Sequence, residues 1–190
     1  LMLAGGKGRM AAIIGYDREK LIDVCQKLTA EGDYVVPANF NSMEQIVISG
    51  SASGVEKAME LIGADGARVV PLMVSSPFHT NLLESASIGL GQLLADVDIK
   101  KPEIPVYFNT IADIEEEPAK IKELLTRQVM SPVLWIDTML KLLDNGVDTF
   151  IEIGPGKTLS GFLKRLPYEY KVYNINNIAT LEKTITNLGG

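Results

Sequence analysis

The chain has 190 residues, 46% of them hydrophobic, and a net charge of −6, enough apolar material for one domain or two small ones. No apolar run approaches the roughly 20 residues of a membrane-spanning helix, and the acidic balance argues against a general nucleic-acid binder, which presents a basic face. With a single cysteine, Cys25, and a single histidine, His79, no disulfide can close within the chain and no common transition-metal cluster can be assembled, a composition that fits a reducing cytoplasm.

The chain opens on Leu1-Met2-Leu3-Ala4 rather than a methionine. This stretch breaks off too soon for a signal peptide and reads as the tail of a helix cut from something longer, so a fragment or an incompletely covered chain is expected. Gly5-Gly6-Lys7-Gly8 reads as a flexible linker. Met10 to Ile14 is a buried-strand pattern ended by Gly15. Asp17 caps a helix in which Leu21, Val24, Cys25 and Leu28 recur at helical spacing, and Gly32 ends it. Tyr34 to Phe40 and Gln45 to Ser49 are strands joined by the turn residues Asn41-Ser42. Ser51 or Ser53 caps a helix with an apolar face of Val55, Ala58, Met59 and Ile62. Arg68 to Val74 is a fourth strand. Strand, helix, strand, strand, helix, strand is the ferredoxin-like order.

After residue 80 the pattern changes. Leu82 to Val97 reads as a helix. Val106-Tyr107-Phe108 is a short strand kept out of any helix by Pro102 and Pro105. Glu115-Glu116-Glu117-Pro118 is a solvated helix start, followed by helices over Ala119 to Met130 and Val133 to Leu143. Leu134, Trp135, Met139, Leu140 and Leu143 form a core stripe. Thr149 to Ile153 is a strand entering Gly154-Pro155-Gly156, then come a helix over Thr158 to Leu166, a strand over Lys171 to Ile175 and a helix over Ala179 to Leu188. Alternating strands and helices imply a parallel α/β layer.

The residues that invite a chemical reading are few. His79 closes Val74-Ser75-Ser76-Pro77-Phe78-His79-Thr80, and an imidazole at the end of a buried strand is well placed for proton transfer. The plainer reading is a strand-end or surface histidine. Cys25, inside a helical run with nothing near it to activate a thiol, is a small core residue. Gly154 to Thr158 suggests a phosphate loop, but a P-loop needs glycine where Ile151 stands. The glycines serve a sharp strand-to-helix turn instead. Lys164-Arg165 on a surface helix is a polar face or a docking point for an acidic partner.

Five segments occur together in order: Met10 to Gly15, Asn39 to Gly50, Val74 to Thr80, Gln128 to Trp135 and Ile151 to Leu159. Together they resemble the malonyl-CoA:acyl carrier protein transacylases and the related acyltransferase domains of fatty-acid and polyketide synthases, from about residue 9 to the end. The resemblance implies an α/β protein: a ferredoxin-like (βαββαβ) small subdomain over 10–79, with 1–9 and 80–190 belonging to an α/β-hydrolase-like parallel-sheet subdomain. It also implies that His79 is the general base and acid, that the main-chain carbonyl of Gln128 orients it, and that Phe78 and Asn41 line the substrate pocket. Packing remains the alternative for Phe78, a local turn role for Asn41, and a surface helix end for Gln128. The family's nucleophile elbow, Gly-His-Ser-Leu-Gly, its oxyanion loop and its carboxylate-binding arginine match nothing in these residues. Arg9 lies outside the arginine motif, and Gly50-Ser51-Ala52-Ser53-Gly54 has alanine where the serine should be. Met43-Glu44 stands where Pro-Gly is usual.

The expected function is therefore malonyl transfer from malonyl-CoA to the phosphopantetheine thiol of acyl carrier protein in the cytoplasm, by a ping-pong serine/histidine mechanism whose serine lies outside the sequence. Coenzyme A and phosphopantetheine thioesters serve as substrates, and neither cofactor nor metal nor nucleic acid nor membrane is called for. The 190 residues alone are expected to be inactive. The alternatives are an inactive fragment or non-catalytic ligand-binding module, and a polyketide-type acyltransferase with another acyl donor.

Overall fold

The computed structural model describes residues 8–74 and 76–189. The helix tail expected at Leu1 to Ala4, the linker up to Lys7, and Ser75 lie outside the described residues. Gly8, read as linker, is the first residue of a strand, and a Cβ on it would sit 2.4 Å from the Pro77 ring. The chain divides into two compact units, Leu1–Thr138 and Met139–Gly190.

In the first unit, β1 (Gly8–Ile14), α1 (Arg18–Ala30), β2 (Val35–Phe40), β3 (Gln45–Ser51), α2 (Ala52–Ala64) and β4 (Arg68–Pro71) follow in the order read from the sequence. The four strands make one sheet in the order β2-β3-β1-β4, with every neighbouring pair antiparallel. The central strands β1 and β3 are buried on both faces, which is why they read as unbroken apolar runs rather than alternating ones. On one face Met10, Ala12, Ala38 and Val47 cluster, with Val70 and Leu72 packed against them. Ala11, Ile13, Ile46 and Ile48 alternate onto the other face and are buried. Asp17 caps α1 by accepting from the Lys20 N–H at 2.9 Å. Of the two serines considered, Ser51 caps α2, accepting from the Gly54 N–H at 3.1 Å.

β4 ends at Pro71, three residues before the expected Val74. The Leu72 N–H still donates to Met10 O at 2.9 Å, but Met73 and Val74 are exposed. Pro71 has no N–H to continue a ladder, so Leu72 to Val74 are loop, not strand.

The rest of this unit starts with a 3-10 turn, Asn81–Leu83, then α3 (Glu84–Ala95), the short antiparallel pair β5 (Tyr107–Phe108) and β6 (Asp113–Ile114), α4 (Pro118–Arg127) and the start of α5 (Trp135–Asp144). The helix expected over Leu82 to Val97 is thus a 3-10 turn followed by a shorter helix, and β6 was not anticipated. Pro118 opens α4, where its missing N–H has no helical partner to lose. α4 stops at Arg127, so Gln128 to Leu134 is irregular backbone between two helices. In the stripe on α5, Met139 and Leu143 are buried as expected. Leu134, Trp135 and Leu140 are only partly so, and Ile136, absent from the expected stripe, is buried.

The second unit carries β7 (Thr149–Ile153), α6 (Thr158–Phe162), β8 (Lys171–Ile175) and α7 (Ile178–Leu188). β7 and β8 are parallel, as the strand–helix alternation implies, with Glu152 opposite Asn174. Gly154 and Gly156 take φ of 140° and 93° at the turn between β7 and α6. The Glu152 carboxylate closes that turn, accepting from the Leu159 N–H at 3.1 Å, the Ser160 N–H at 2.9 Å, the Ser160 hydroxyl and the Asn174 amide. These donors, the Ser160 hydroxyl foremost, hold Glu152 below the usual carboxylate range. α6 ends four residues before the expected Leu166. Arg165 has φ of 71° and Pro167 follows, and both stop a helix. Lys164-Arg165 therefore lies in the turn beyond the helix, not on its face.

Candidate active site

The chain turns sharply at Phe78-His79. His79 has φ of 61°, a left-handed conformation that costs about 1–2 kcal/mol for a residue with a Cβ. Local hydrogen bonds hold it there. The Phe78 N–H donates to Ser76 O at 3.0 Å. The buried Thr80 hydroxyl donates to Pro77 O at 2.7 Å and accepts from the Leu82 N–H at 3.3 Å. The Asn81 N–H donates to the Tyr34 hydroxyl at 3.1 Å, tying the turn to the loop between α1 and β2.

The His79 ring meets the irregular segment after α4. Nδ1 lies 3.1 Å from Gln128 O and 3.1 Å from Ser131 O. Both partners are carbonyl oxygens, which only accept, so Nδ1 is the donor in a three-centre bond. A neutral imidazole held this way has its proton on Nδ1 and its lone pair on Nε2. Nε2 is then a base aimed away from the two carbonyls, and among the described residues the hydrogen-bond partners of the ring are these carbonyls rather than a carboxylate. The carbonyls orient the ring without the desolvation cost of a buried ion pair.

The segment that offers these carbonyls is itself pinned. The Gln128 N–H donates to Leu124 O at 2.9 Å, and the Ser131 N–H to Arg127 O at 3.0 Å. Further along, the Val133 N–H donates to Ala38 O at 2.8 Å and Val133 O accepts from the Phe40 N–H at 2.8 Å, so Val133 pairs with β2 around Asn39. The same end of β2 leads into the turn at Asn41, whose N–H donates to Gln45 O at 3.0 Å. Ser42 Oγ closes that turn by accepting from the Gln45 N–H at 3.1 Å.

Of the four residues singled out by the sequence, His79 and Gln128 are brought into direct contact. Phe78, next to the histidine in the chain, keeps 41% of its surface exposed. Asn41 stands one residue beyond the strand that holds Val133, and among the described residues no hydrogen bond joins it to His79 or Gln128. Ser131 was missed as a second acceptor. Its contribution is a main-chain carbonyl, which leaves no side-chain signature in a sequence. Tyr34, expected as the start of a strand, lies one residue before β2 and bonds the turn through its hydroxyl. Cys25 is buried, and burial pushes its thiol up to about 12, so it is no nucleophile. Among the described residues no group of three or more His, Cys, Asp or Glu side chains could hold a metal ion, and no helix is long and apolar enough to cross a membrane.

Residues 2–187 match the family described as the acyl transferase domain, and the chain belongs to that family. It is 47% identical over 184 residues to the malonyl CoA-acyl carrier protein transacylase of Bacillus subtilis strain 168, covering 96% of this chain and 58% of that protein. It is 40% identical over 176 residues to the protein of the same name from Haemophilus influenzae, covering 92% of this chain and 56% of that one. The crystal structure of the malonyl CoA-acyl carrier protein transacylase from Clostridium perfringens superposes with a TM-score of 0.92 at 41% identity, over 98% of this chain and 58% of the other. A malonyl-transacylase in complex with its type II polyketide acyl carrier protein gives 0.91 at 36% identity, over 96% and 59%. The α/β fold is shared with these structures, and the chain spans just under three-fifths of each.

Proposed function

We propose that the protein carrying these residues transfers a malonyl group from malonyl-CoA to the phosphopantetheine thiol of an acyl carrier protein. The observation that carries this reading is the three-centre bond from His79 Nδ1 to Gln128 O and Ser131 O. It leaves Nε2 as a base in the segment that resembles the catalytic loop of the transacylases. The names of the relatives supply the malonyl group, coenzyme A and the acyl carrier protein.

The mechanism is ping-pong. Nε2 removes the proton of a serine hydroxyl as its oxygen attacks the malonyl thioester carbonyl. As the tetrahedral intermediate collapses, the imidazolium returns that proton to the sulfur of coenzyme A, and the C–S bond breaks to leave a malonyl-serine ester. The phosphopantetheine thiol then gives its proton to Nε2 and attacks the ester. The imidazolium protonates the serine oxygen as it leaves. Gln128 and Ser131 keep the ring oriented through both halves, while Phe78 and Asn41 border the acyl group. The resemblance assigns the serine, the oxyanion donors and the carboxylate-binding arginine to residues outside these 190.

In this reading the four-stranded sheet with α1 and α2, over 10–79, is a ferredoxin-like small subdomain. Residues 1–9 and 80–190 belong to an α/β-hydrolase-like subdomain with a parallel sheet, and the protein works in the cytoplasm. A polyketide carrier is the second reading, since one similar structure is such a complex. Steady-state rates with carriers of the two kinds separate them.

The test is His79→Ala in the full-length protein. Loss of the acid–base group is expected to slow malonyl transfer by roughly 10²–10⁴-fold with the circular-dichroism spectrum unchanged. A folded variant that keeps more than about a tenth of the parent rate, well outside that range, rules out His79 as the base.

A further inference from the structure

We propose that Arg18 is a positioning residue for this chemistry, holding in place both the carbonyls that orient His79 and the strand end that carries Asn41. The inference rests on the reading of His79 as the base, and nothing in the sequence drew attention to Arg18.

Arg18 is the first residue of α1, and its guanidinium makes two contacts at once. Nη1 donates to Asp137 Oδ1 at 2.7 Å and Nη2 to Asp137 Oδ2 at 3.1 Å, a two-pronged pairing with a carboxylate in the first turn of α5. The same group sits over Phe40, with Cζ 4.0 Å from the ring centroid. Phe40 is the last residue of β2, beside Asn41, and its N–H bonds Val133 O. Asp137 and Phe40 therefore bracket the far side of the irregular stretch that offers Gln128 O and Ser131 O to the histidine.

Irregular backbone has no ladder of its own, so its anchors decide where its carbonyls point. On the near side the anchor is α4. On the far side it is the pairing of Val133 with β2 and the seat of α5, and the guanidinium grips both. Half-exposed ion pairs add little to stability, so the consequence of this one is geometric. Lysine cannot substitute, because a single ammonium cannot fork onto the carboxylate with two nitrogens while also covering the ring.

The experiment uses the full-length protein with Arg18→Ala, Arg18→Lys and Asp137→Asn, and two measurements. The first is the tautomer of the neutral His79 imidazole from its ¹⁵N resonances, assigned by their loss in His79→Gln. The parent is expected to show the Nδ1–H form, and the variants a mixture with the Nε2–H form. The second is steady-state kinetics: in Arg18→Ala kcat is expected to fall about three- to tenfold, the scale of one lost ion pair and one lost cation–π contact, and in Asp137→Asn, which keeps Arg18 over Phe40, about two- to fivefold, the scale of the ion pair alone, while KM for malonyl-CoA changes by less than about twofold. Arg18→Lys is expected to follow Arg18→Ala. If Arg18→Ala does not fold, the isosteric Asp137→Asn carries the test. An unchanged tautomer, or an unchanged kcat in a folded variant, overturns the proposal. Should His79→Ala itself keep full activity, the enzymatic reading fails on its own account, and the tautomer alone then decides whether Arg18 orients the ring.

Discussion

Phe78 is a phenyl ring next to the proposed base, and with 41% of its surface exposed the core does not use it up. In the proposed mechanism its ring borders the space beside the thioester α-carbon, where a methylmalonyl donor carries one more methyl group. An apolar pocket distinguishes one methyl by only about 1–3 kcal/mol, or roughly 10–200-fold. Malonyl-CoA is therefore expected to exceed methylmalonyl-CoA in kcat/KM by a factor in that range, and Phe78→Ser is expected to narrow the gap. The two specificity constants, measured in full-length parent and variant, check this. An unchanged ratio assigns Phe78 to packing. At this scale the sequence exposed side chains but not carbonyls. His79 stood out as the only imidazole, and Gln128 entered through a motif. Ser131 O, at the same 3.1 Å as Gln128 O, had nothing to mark it. Arg18 and Asp137 were invisible for a different reason: 119 positions separate them, and each alone reads as an ordinary surface charge.

At the scale of elements, the start of α2 is packed more tightly than its sequence suggests. A Cβ on Gly54 would lie 2.5 Å from Tyr34 O and 2.8 Å from Asp33 O, and one on Gly50 would lie 2.2 Å from Tyr34 O. These neighbours are backbone and cannot swing aside. The same Tyr34 holds the His79 turn through its hydroxyl, so the close approach of α2 to the α1–β2 loop also fixes the turn. Alanine for glycine inside a helix ordinarily stabilises by about 0.5–1 kcal/mol. Gly54→Ala is expected to reverse that sign and destabilise by roughly 1–3 kcal/mol, the cost of overpacking. Gly63→Ala, whose Cβ would meet only Val69 Cγ2 at 3.7 Å, is expected to be neutral or to follow the ordinary rule. Denaturant unfolding of both variants in the full-length protein checks the pair; a Gly54→Ala variant as stable as Gly63→Ala would show that the loop yields. Element types and order were legible because the periodicities are clear and the caps, Asp17 and Ser51, are where a helix start demands them. The ends were less so. Hydropathy carried β4 on through Leu72 and Val74, while the missing N–H of Pro71 stopped the ladder. β6, only two residues long, is too short for any period to appear.

At the scale of the whole molecule, the chain spans just under three-fifths of the length of the relatives it matches. The proposed ping-pong acyl transfer needs a nucleophile for Nε2 of His79 to act on. No serine among the 190 residues sits in a Gly-x-Ser-x-Gly turn, the one cysteine is buried with its thiol raised to about 12, and the Bacillus subtilis relative is covered over only 58% of its length. A sample confirmed by intact mass to contain these 190 residues is therefore expected to show no transfer of labelled malonyl from coenzyme A to carrier protein above the uncatalysed background. It is also expected to take up no covalent malonyl label, since the ester would have to form on a residue that these 190 do not supply. The two readouts separate different failures. Label without transfer would place a nucleophile here and leave the second half-reaction to the remainder of the protein. Full turnover would show that a residue other than the expected serine accepts the acyl group, and the serine/histidine scheme would have to be abandoned for this chain.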